Sequence, residues 1–340
     1  MKTVLELYKT ERRDIGSDIM LDANEHYKQW VRLPRSALTN INRYPDSSAV
    51  ALRQKLAECY CGNGIRTENI LVTSGSIEAI DVLIAAYMPR VLILNTPSYD
   101  VYKIRAHALG RSCELIPLNS SSQPQADRII EKAIEGSMVI FISPNNPTGK
   151  LMDLTLVRRV IENSKGMVII DEAYIEFAGL QKSMQLLAKE YPNVIILRTF
   201  SKAWGLAGLR LGYIISNEDN IRHLTHYRNA YSVNTVALTV GLHALDQQDE
   251  LKVQVENILA YKSDLTYRFE HAGIAVHRTE ANFIVIDIPD AHTVYQVLRQ
   301  KSILVRPRPL LGNLRQGLRI TVGSPAENQA MFNAILEALA

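Results

Sequence analysis

Short apolar runs alternate with segments of helical periodicity between residues 69 and 200. Each run is rich in β-branched residues and apolar throughout, as in "MVIFIS" at 138–143. Between two runs, apolar residues at 126, 129, 130, 133 and 134 follow the helical repeat. Strands that are apolar on both faces and separated by helices indicate a largely parallel sheet covered on both sides. The predicted strands are 69–73, 91–94, 113–118, 138–143, 167–171 and 194–200, with 209–216 as a candidate antiparallel strand.

This alternation ends at about residue 218. Long helical patterns occupy roughly 218–272, and strands and helices then follow in mixed order to the last residue. That change predicts a second, smaller α+β domain joined through a long helix. We therefore predict an N-terminal segment over 1–40 that packs with the small domain, a large domain over 41–250 and a small C-terminal domain over 251–340.

Composition narrows the class of protein. The 340 residues carry a net charge of +3, which is too mild to indicate a nucleic-acid or membrane-surface partner. No apolar run approaches a spanning helix, and the first residues lack the apolar core of a signal peptide. Cys59, Cys61 and Cys113 lack the spacing of a zinc cage, and no histidine pair has metal-ligand spacing. We expect a cytoplasmic protein with reduced thiols and no metal site.

Polar residues follow five of the predicted strands. Ligands of open parallel sheets bind beyond the carboxyl ends of the strands, so these residues are the candidates for a site. The polar segments are Ser74–Ser76, Pro97–Tyr99, Pro144–Gly149, Asp171–Tyr174 and Thr199–Lys202, with Arg210 eight residues beyond. Their occurrence together, in this order, favours one shared binding site.

The residue types fit a pyridine ring that bears an aldehyde. Lys202 follows a core strand, where its amine can form a Schiff base with a carbonyl. Asp171, at the end of a buried strand, can hold a pyridinium proton and keep the ring an electron sink. Tyr174 and the amide of Asn146 can donate hydrogen bonds to a phenolate oxygen. The prolines and glycine of 143–149 fix the turn that presents this amide.

The same set contains groups for a phosphate. Gly75, Ser76 and Ile77 open a predicted helix, whose first backbone N–H groups and dipole favour an anion. Arg210 can supply a bidentate contact to the same phosphate. No G-x-G-x-x-G follows any strand, which argues against a nucleotide-binding dehydrogenase.

Three motifs resemble one known family. "SPNNPTG" (143–149), "DEAYIEF" (171–177) and "TFSKAWGLAGLRLGY" (199–213) look like the fold-type-I pyridoxal-phosphate aminotransferases, in the histidinol-phosphate aminotransferase branch. The similarity runs from "LDANE" (21–25) to "LRITVG" (318–323). It implies an α/β fold with a mostly parallel seven-stranded sheet covered by helices, plus a smaller α+β domain. It also implies pyridoxal 5′-phosphate as cofactor in the large domain, and transfer of an amino group from histidinol phosphate to 2-oxoglutarate, giving imidazole acetol phosphate and glutamate.

The resemblance also implies a role for individual residues. Lys202 holds the cofactor covalently and later acts as the catalytic base, Asp171 pairs with the pyridine nitrogen, and Asn146 and Tyr174 bind the phenolic oxygen. Tyr99 stacks on the ring, and the cofactor phosphate is held by Ser76, Ile77, Thr199, Ser201 and Arg210. Tyr44 reaches the phosphate of the partner subunit, so the active unit is a homodimer. For the substrate, Arg319 binds the α-carboxyl or its equivalent, Tyr8, Arg306 and Arg308 are placed to meet a side-chain phosphate, and the segment that contains Asn24 covers the substrate.

Some alternatives stay open at this point. The usual "NENP" of the family reads Asn24-Glu25-His26-Tyr27 here, which leaves the amino donor undecided. A decarboxylase of the same architecture that acts on threonine phosphate, or a broad-specificity aromatic aminotransferase, would use the same motifs. Tyr99 can also be an aromatic residue of the core. The arginines at 306 and 308 can belong to a solvated loop. Trp204 is expected to be a packing residue rather than a substrate contact.

Overall fold

The structure, a computed structural model, describes residues 18–62, 64–309 and 316–339. Tyr8 lies outside the described residues, as do all of residues 1–17 of the predicted N-terminal segment. The backbone of Arg308 is described, but its side chain is not. None of the helices in these ranges combines the length and the apolar composition that a membrane span requires.

The apolar runs form one seven-stranded sheet with the order β2-β8-β7-β6-β5-β3-β4. Only β8 is antiparallel to its neighbours, so the carboxyl ends of β2, β3, β5, β6 and β7 lie at the same edge. This confirms the predicted α/β fold with a mostly parallel sheet, including the antiparallel direction of 209–216. The strands are β2 (Ile70–Thr73), β3 (Val91–Thr96), β4 (Ser112–Pro117), β5 (Ser137–Ile142), β6 (Met167–Asp171), β7 (Val194–Thr199) and β8 (Gly212–Ile215).

Two apolar cores cover the two faces of this sheet. On β6, Val168 and Ile170 belong to one core and Ile169 to the other, because successive side chains of a strand point to opposite faces. A strand buried on both faces has to be apolar at every position, which is the pattern of the sequence. The helices of this part are α1 (Val50–Lys55), α2 (Gly75–Tyr87), α3 (Val101–Ala108), α4 (Ala126–Lys132), α5 (Leu154–Asn163), α6 (Ile175–Ala178), α7 (Leu187–Glu190), α8 (Glu218–Thr225) and α9 (Thr235–Ala244).

A second, antiparallel sheet lies in the C-terminal part of the chain. Its order is β12-β13-β10-β9, and a third apolar core packs it against helices. Its strands are β9 (Ala275–His277), β10 (Phe283–Asp287), β12 (Arg306–Pro309) and β13 (Gln316–Thr321), and its helices are α10 (Gln248–His271), α11 (Ala291–Gln300) and α12 (Pro325–Leu339). The predicted domain boundary at 250/251 falls inside the continuous helix α10, which contributes to both parts.

The N-terminal segment is divided between the two parts. Its first described strand, β1 (Ile19–Met20), pairs in parallel with β11 (Ile303–Leu304) beside the small sheet. Trp30 instead stacks on Trp204, at 5.8 Å between ring centroids, and belongs to the core of the large sheet. The prediction that all of 1–40 packs with the small domain is therefore corrected for the residues around Trp30. Burial of this indole, whose Nε1 donates to Ala203 O at 3.1 Å, holds that stretch on the large part.

The turn at 143–149 is in direct contact with the small part. Glu280 N donates to Gly149 O at 2.7 Å. Gly149 has φ +66°, and a Cβ at this position would lie 2.1 Å from Thr279 Cβ and 2.9 Å from its Cα. Only glycine allows this close approach, so the residue that ends "SPNNPTG" also joins the two parts.

We expect Gly149→Ala to destabilise the protein much more than Gly273→Ala. Gly273 also has a positive φ, of +77°, but nothing lies within 4 Å of its missing Cβ. The control therefore carries only the left-handed backbone penalty of about 1–2 kcal/mol, whereas Gly149→Ala adds an overpacking term of about 1–3 kcal/mol. Thermal unfolding of both variants measures the difference. Equal losses would mean that the contact with Thr279 relaxes without cost.

Candidate active site

The carboxyl edge of the large sheet borders a cavity of about 350 Å³. Its walls come from both sheets and from the N-terminal segment. The structure brings twelve of the predicted site residues together around this cavity: Ser76, Ile77, Tyr99, Asn146, Asp171, Tyr174, Thr199, Ser201, Lys202, Arg210, Arg306 and Arg319.

Lys202 presents its amine to the cavity directly after β7. Its Nζ donates to Ala23 O at 2.8 Å and lies 5.7 Å from the centre of the Tyr174 ring. The N-terminal segment thus passes over the lysine. A carbonyl oxygen is a weak partner that a ligand can replace, so the amine is positioned and still available for reaction.

Asp171 is buried at the end of β6. Tyr102 Oη donates to its Oδ2 at 2.8 Å, and Ala173 N donates to its Oδ1 at 3.0 Å. Burial raises the pKa of Asp171 to about 6, and the hydrogen bond from Tyr102 opposes that rise. A buried carboxylate with few compensating charges is a strong acceptor for a cationic N–H group.

The hydroxyl of Tyr174 is the centre of an amide network. Asn24 Nδ2 donates to it at 3.0 Å, and Asn146 Nδ2 lies 3.5 Å from it. The neighbouring Asn145 serves the turn instead, since its amide contacts Ser98 Oγ at 2.8 Å and Pro97 O at 3.1 Å. The two asparagines of "SPNNPTG" therefore have different tasks, and the second one faces the cavity.

Donors for an anion collect where α2 begins. Gly75 has φ +74°, and a Cβ on it would lie 2.4 Å from Arg210 Nη2, so this approach requires glycine. Arg210 Nη1 lies 3.5 Å from Ser201 Oγ, and Thr199 Oγ1 donates to that oxygen at 2.9 Å. The first N–H groups of a 13-residue helix and a guanidinium thus point to one place.

Two arginines lie at the other end of the cavity. Arg306 and Arg319 are directly opposite each other on the antiparallel strands β12 and β13, which explains how residues thirteen apart in sequence meet. Arg319 is buried and its Nη1 donates to Asn146 Oδ1 at 2.8 Å. This end is therefore suited to a negatively charged group, and Asn146 connects it to Tyr174.

Three further residues act in the site and were not predicted. Asp22 contacts both arginines, through its carbonyl oxygen to Arg319 and its carboxylate to Arg306. Tyr102, on α3, donates to Asp171, and the sequence offers no signal for this contact. Arg198 forms a buried ion pair of 3.0 Å with Glu172, for which the sequence offers no signal because both look like ordinary strand-end charges.

Two predicted residues lie apart from the cavity wall. Asn24 is fully buried behind it and acts through Tyr174. Tyr44 is 82% exposed and stacks on Tyr231 at 4.6 Å, away from the cavity of its own chain. Among the described residues, no group of three histidine, cysteine or carboxylate side chains is arranged to hold a metal ion.

His26 and Tyr27, which stand where the family usually has other residues, are packing residues. The two rings stack at 4.9 Å, and Tyr27 lies 6.2 Å from Tyr261 of α10. Burial lowers the pKa of His26 to about 4, so the ring is neutral at pH 7. Neither ring lines the cavity.

Comparison with known proteins agrees with this geometry. The family model for aminotransferase class I and II matches residues 14–335. The chain belongs to this family. The histidinol-phosphate aminotransferase of Parabacteroides distasonis is 33% identical over 339 residues, with 97% of this chain and 94% of that protein covered. That of Pyrococcus furiosus is 36% identical over 298 residues, with 88% and 84% covered. A solved histidinol-phosphate aminotransferase from Sinorhizobium meliloti in complex with pyridoxal 5′-phosphate shares the fold, with a TM-score of 0.80 at 21% identity and 94% and 90% covered.

The cofactor of this aminotransferase is pyridoxal 5′-phosphate, and the residues present fit it. Lys202 offers an amine for the aldehyde and Asp171 a buried carboxylate for the ring nitrogen. The cradle at Gly75, which a side chain would fill, suits the phosphate. These three groups lie around one cavity, as one bound molecule requires.

We expect the cofactor-free Asp171→Asn variant to be more stable than the cofactor-free wild type at pH 7.5. The folded pKa of about 6 lies above the ordinary 3.8, so this carboxyl favours folding below about pH 4 and loses that contribution as the pH rises through 6. The buried charge therefore destabilises the wild type at pH 7.5 by up to about 3 kcal/mol. Urea unfolding at pH 7.5 and 4.5 measures the gain, which should shrink at the lower pH. The control is Asp249→Asn at an exposed position, and a variant less stable than wild type at both pH values would contradict the burial argument.

Proposed function

We propose that this chain catalyses the transfer of an amino group from histidinol phosphate to 2-oxoglutarate, giving imidazole acetol phosphate and glutamate. The observation that carries the proposal is the arginine pair 306 and 319, opposite each other at the far end of the cavity that Lys202 and Asp171 line. An aminotransferase site with two cations at its substrate end suits donors and acceptors that carry strong negative charge. The names of the relatives point to histidinol phosphate as the amino donor.

Pyridoxal 5′-phosphate, when bound, supplies an aldehyde that takes up the substrate amine and a ring that stabilises negative charge at the substrate α carbon. In our proposal, Lys202 Nζ moves the proton at that carbon, because this amine lies at the cavity, 5.7 Å from the centre of the Tyr174 ring, and a ligand can replace its hydrogen bond to Ala23 O. Asp171 holds the proton of the ring nitrogen, and Tyr102 orients its carboxylate. Tyr174 and Asn146 bind the phenolic oxygen, and Tyr99 stacks on the ring.

The substrate end is assigned to the two arginines. Arg319 binds the α-carboxyl of glutamate, since its guanidinium is fixed by Asn146 and by the Asp22 carbonyl. The Arg306 side chain is less constrained and binds the phosphate of histidinol phosphate. Asn24 acts indirectly, because its amide donates a hydrogen bond to the Tyr174 hydroxyl. The predicted part of Tyr8 in closing over the phosphate stays a prediction, as does any contact of Arg308.

We expect Arg306→Ala to lower kcat/KM for histidinol phosphate by about 2–4 kcal/mol, the scale of a lost charge-assisted contact in a partly dry site. The loss with histidinol, which lacks the phosphate, should be much smaller. Arg278→Ala, at an exposed arginine outside the cavity, is the control for removing one positive charge. Equal losses with both substrates would mean that Arg306 serves the fold or the amine end.

One further experiment distinguishes the proposed function from two related ones. Single-turnover mixing with histidinol phosphate, glutamate, phenylalanine and threonine phosphate shows which amines react, and carbon dioxide release identifies decarboxylation. A threonine-phosphate decarboxylase would release it from threonine phosphate, and a broad aromatic aminotransferase would not distinguish histidinol phosphate from histidinol.

We also propose that the active unit is a homodimer. Tyr44 is exposed and does not line the cavity of its own chain, and exposed apolar side chains surround it in sequence, at Leu33, Leu38, Ile41 and Val50. Such a surface is typical of a subunit interface. In the dimer, Tyr44 reaches the cofactor phosphate of the partner subunit. The cytoplasmic location and the absence of nucleic-acid or membrane partners stay predictions.

Mixing two weak variants tests this shared site. Lys202→Ala lacks the reactive amine and Tyr44→Ala lacks the phosphate contact, but a mixed dimer has one site with both residues intact. Random exchange should therefore restore about one quarter of the wild-type activity, since half of the dimers are mixed and each has one complete site. Tyr267→Ala, at an exposed tyrosine on α10, is the control and should retain activity alone. No recovery after confirmed subunit exchange would count against the shared site.

A further inference from the structure

Asp22 lies between the two arginines at the substrate end. Its backbone carbonyl accepts a hydrogen bond from Arg319 Nη2, and its Oδ2 lies 3.6 Å from Arg306 Nη2. The arginines are paired directly across β12 and β13, where like charges destabilise a sheet. One residue therefore compensates both cations, through its main chain and its side chain.

The Asp22 carboxylate partly neutralises Arg306 without occupying all its donors. A separation of 3.6 Å is an ion pair but exceeds a hydrogen-bond distance. Arg306 Nε is buried and has no hydrogen-bond partner among the residues that the structure describes. The Arg306 side chain also lines the cavity and is 34% exposed, so its guanidinium can still bind an anion there, with the aspartate beside it.

The surrounding backbone holds Asp22 in place. Leu21 N donates to Leu304 O at 2.8 Å, and Thr321 N donates to Leu21 O at 2.9 Å. The Asp22 side chain is only 11% exposed. A short side chain in such surroundings stays near any anion that binds Arg306, and it repels that anion.

We propose that Asp22 weakens anion binding at the substrate end, so that free inorganic anions do not occupy the substrate site. Its charge lowers the affinity of the arginine pair for every anion. A substrate overcomes this repulsion because its amine and its organic part make further contacts in the cavity. Inorganic phosphate has only the arginines. The inference rests on the proposed function, in which the true substrate carries a phosphate.

The repulsion also suits a site that two substrates use in turn. A phosphate-carrying molecule and a dicarboxylate have to enter and leave the same cavity in each cycle. Two unopposed arginines would hold either anion long enough to delay its release, because differences in affinity appear mainly in the dissociation rate. A fixed carboxylate weakens both complexes at the anion end while leaving the amine end unchanged.

Anion titrations of the borohydride-reduced holoenzyme test this role without turnover. In that form Lys202 and the cofactor are joined irreversibly, and the fluorescence of the reduced cofactor reports binding. Inorganic phosphate at pH 8.5 and acetate are titrated against the wild type and Asp22→Asn. We expect phosphate to bind about tenfold more tightly to the variant and acetate about threefold, because Coulomb energy is proportional to the charge of the anion.

Three variants serve as controls. Asp22→Glu keeps the charge and should bind both anions as weakly as the wild type, which a purely structural role of Asp22 does not predict. Asp249→Asn removes the same charge at a side chain that is 99% exposed and should change neither affinity. Asp22→Ser removes the charge with a smaller side chain and replaces Asp22→Asn if that variant does not fold.

The outcomes separate this inference from the proposed function. Unchanged or weaker phosphate binding in both neutral variants overturns it, as does equal tightening in Asp249→Asn. If histidinol phosphate is turned over but no tightening occurs, only the role of Asp22 fails. If tightening occurs in an enzyme that does not accept histidinol phosphate, the role of Asp22 stands and the proposed substrate fails.

Discussion

The buried ion pair between Glu172 and Arg198 is the contact on which the site depends. Both side chains are only 1% exposed, and their charged atoms lie 3.0 Å apart. Ser183 Oγ donates to Glu172 Oε2 at 2.8 Å and accepts from Arg198 Nη2 at 2.7 Å. A buried charge without its partner destabilises a protein by several kcal/mol, so neither side chain can move alone. The pair fixes the chain between Asp171 and Tyr174, which lie on either side of Glu172 and line the cavity.

Charge is distributed between the two ends of the cavity in opposite ways. At one end, Asp171 provides a buried carboxylate. Burial raises its pKa, so the carboxylate favours the binding of a proton or a cation. At the far end, the arginines at 306 and 319 provide two positive charges, and the negative charge of Asp22 reduces the net positive charge there. A ligand that is positive at one end and negative at the other matches this field, which is why the site suits a pyridine cofactor and an anionic substrate together.

The N-terminal segment connects these ends. The carbonyl of Asp22 holds Arg319, the carbonyl of Ala23 accepts from Lys202, and the amide of Asn24 reaches Tyr174. Three consecutive residues thus contact Arg319 at the substrate end, the amine of Lys202 and the hydroxyl of Tyr174. Asn24 adopts φ +54°, a left-handed conformation that asparagine tolerates better than most residues, and this bend aims its side chain inward. The segment is therefore part of the catalytic cavity rather than a cover added to it.

The sequence by itself determined the large sheet and which polar residues follow its strands. A strand buried on both faces must be apolar at every position, and the polar residues after such strands necessarily meet at one edge. Lys202, Asp171 and Tyr174 could be placed at one cavity for that reason, and the motifs around them pointed to the family. Contacts between distant segments required the tertiary structure. The pairing of Ile303 and Leu304 with the N-terminal strand β1, the place of Trp30 in the large core and the contact of Asp22 with both arginines involve partners about 170 to 300 residues away. Local pattern carries no record of such partners, because it reflects burial and backbone preference but not which other charge or ring occupies the neighbouring space.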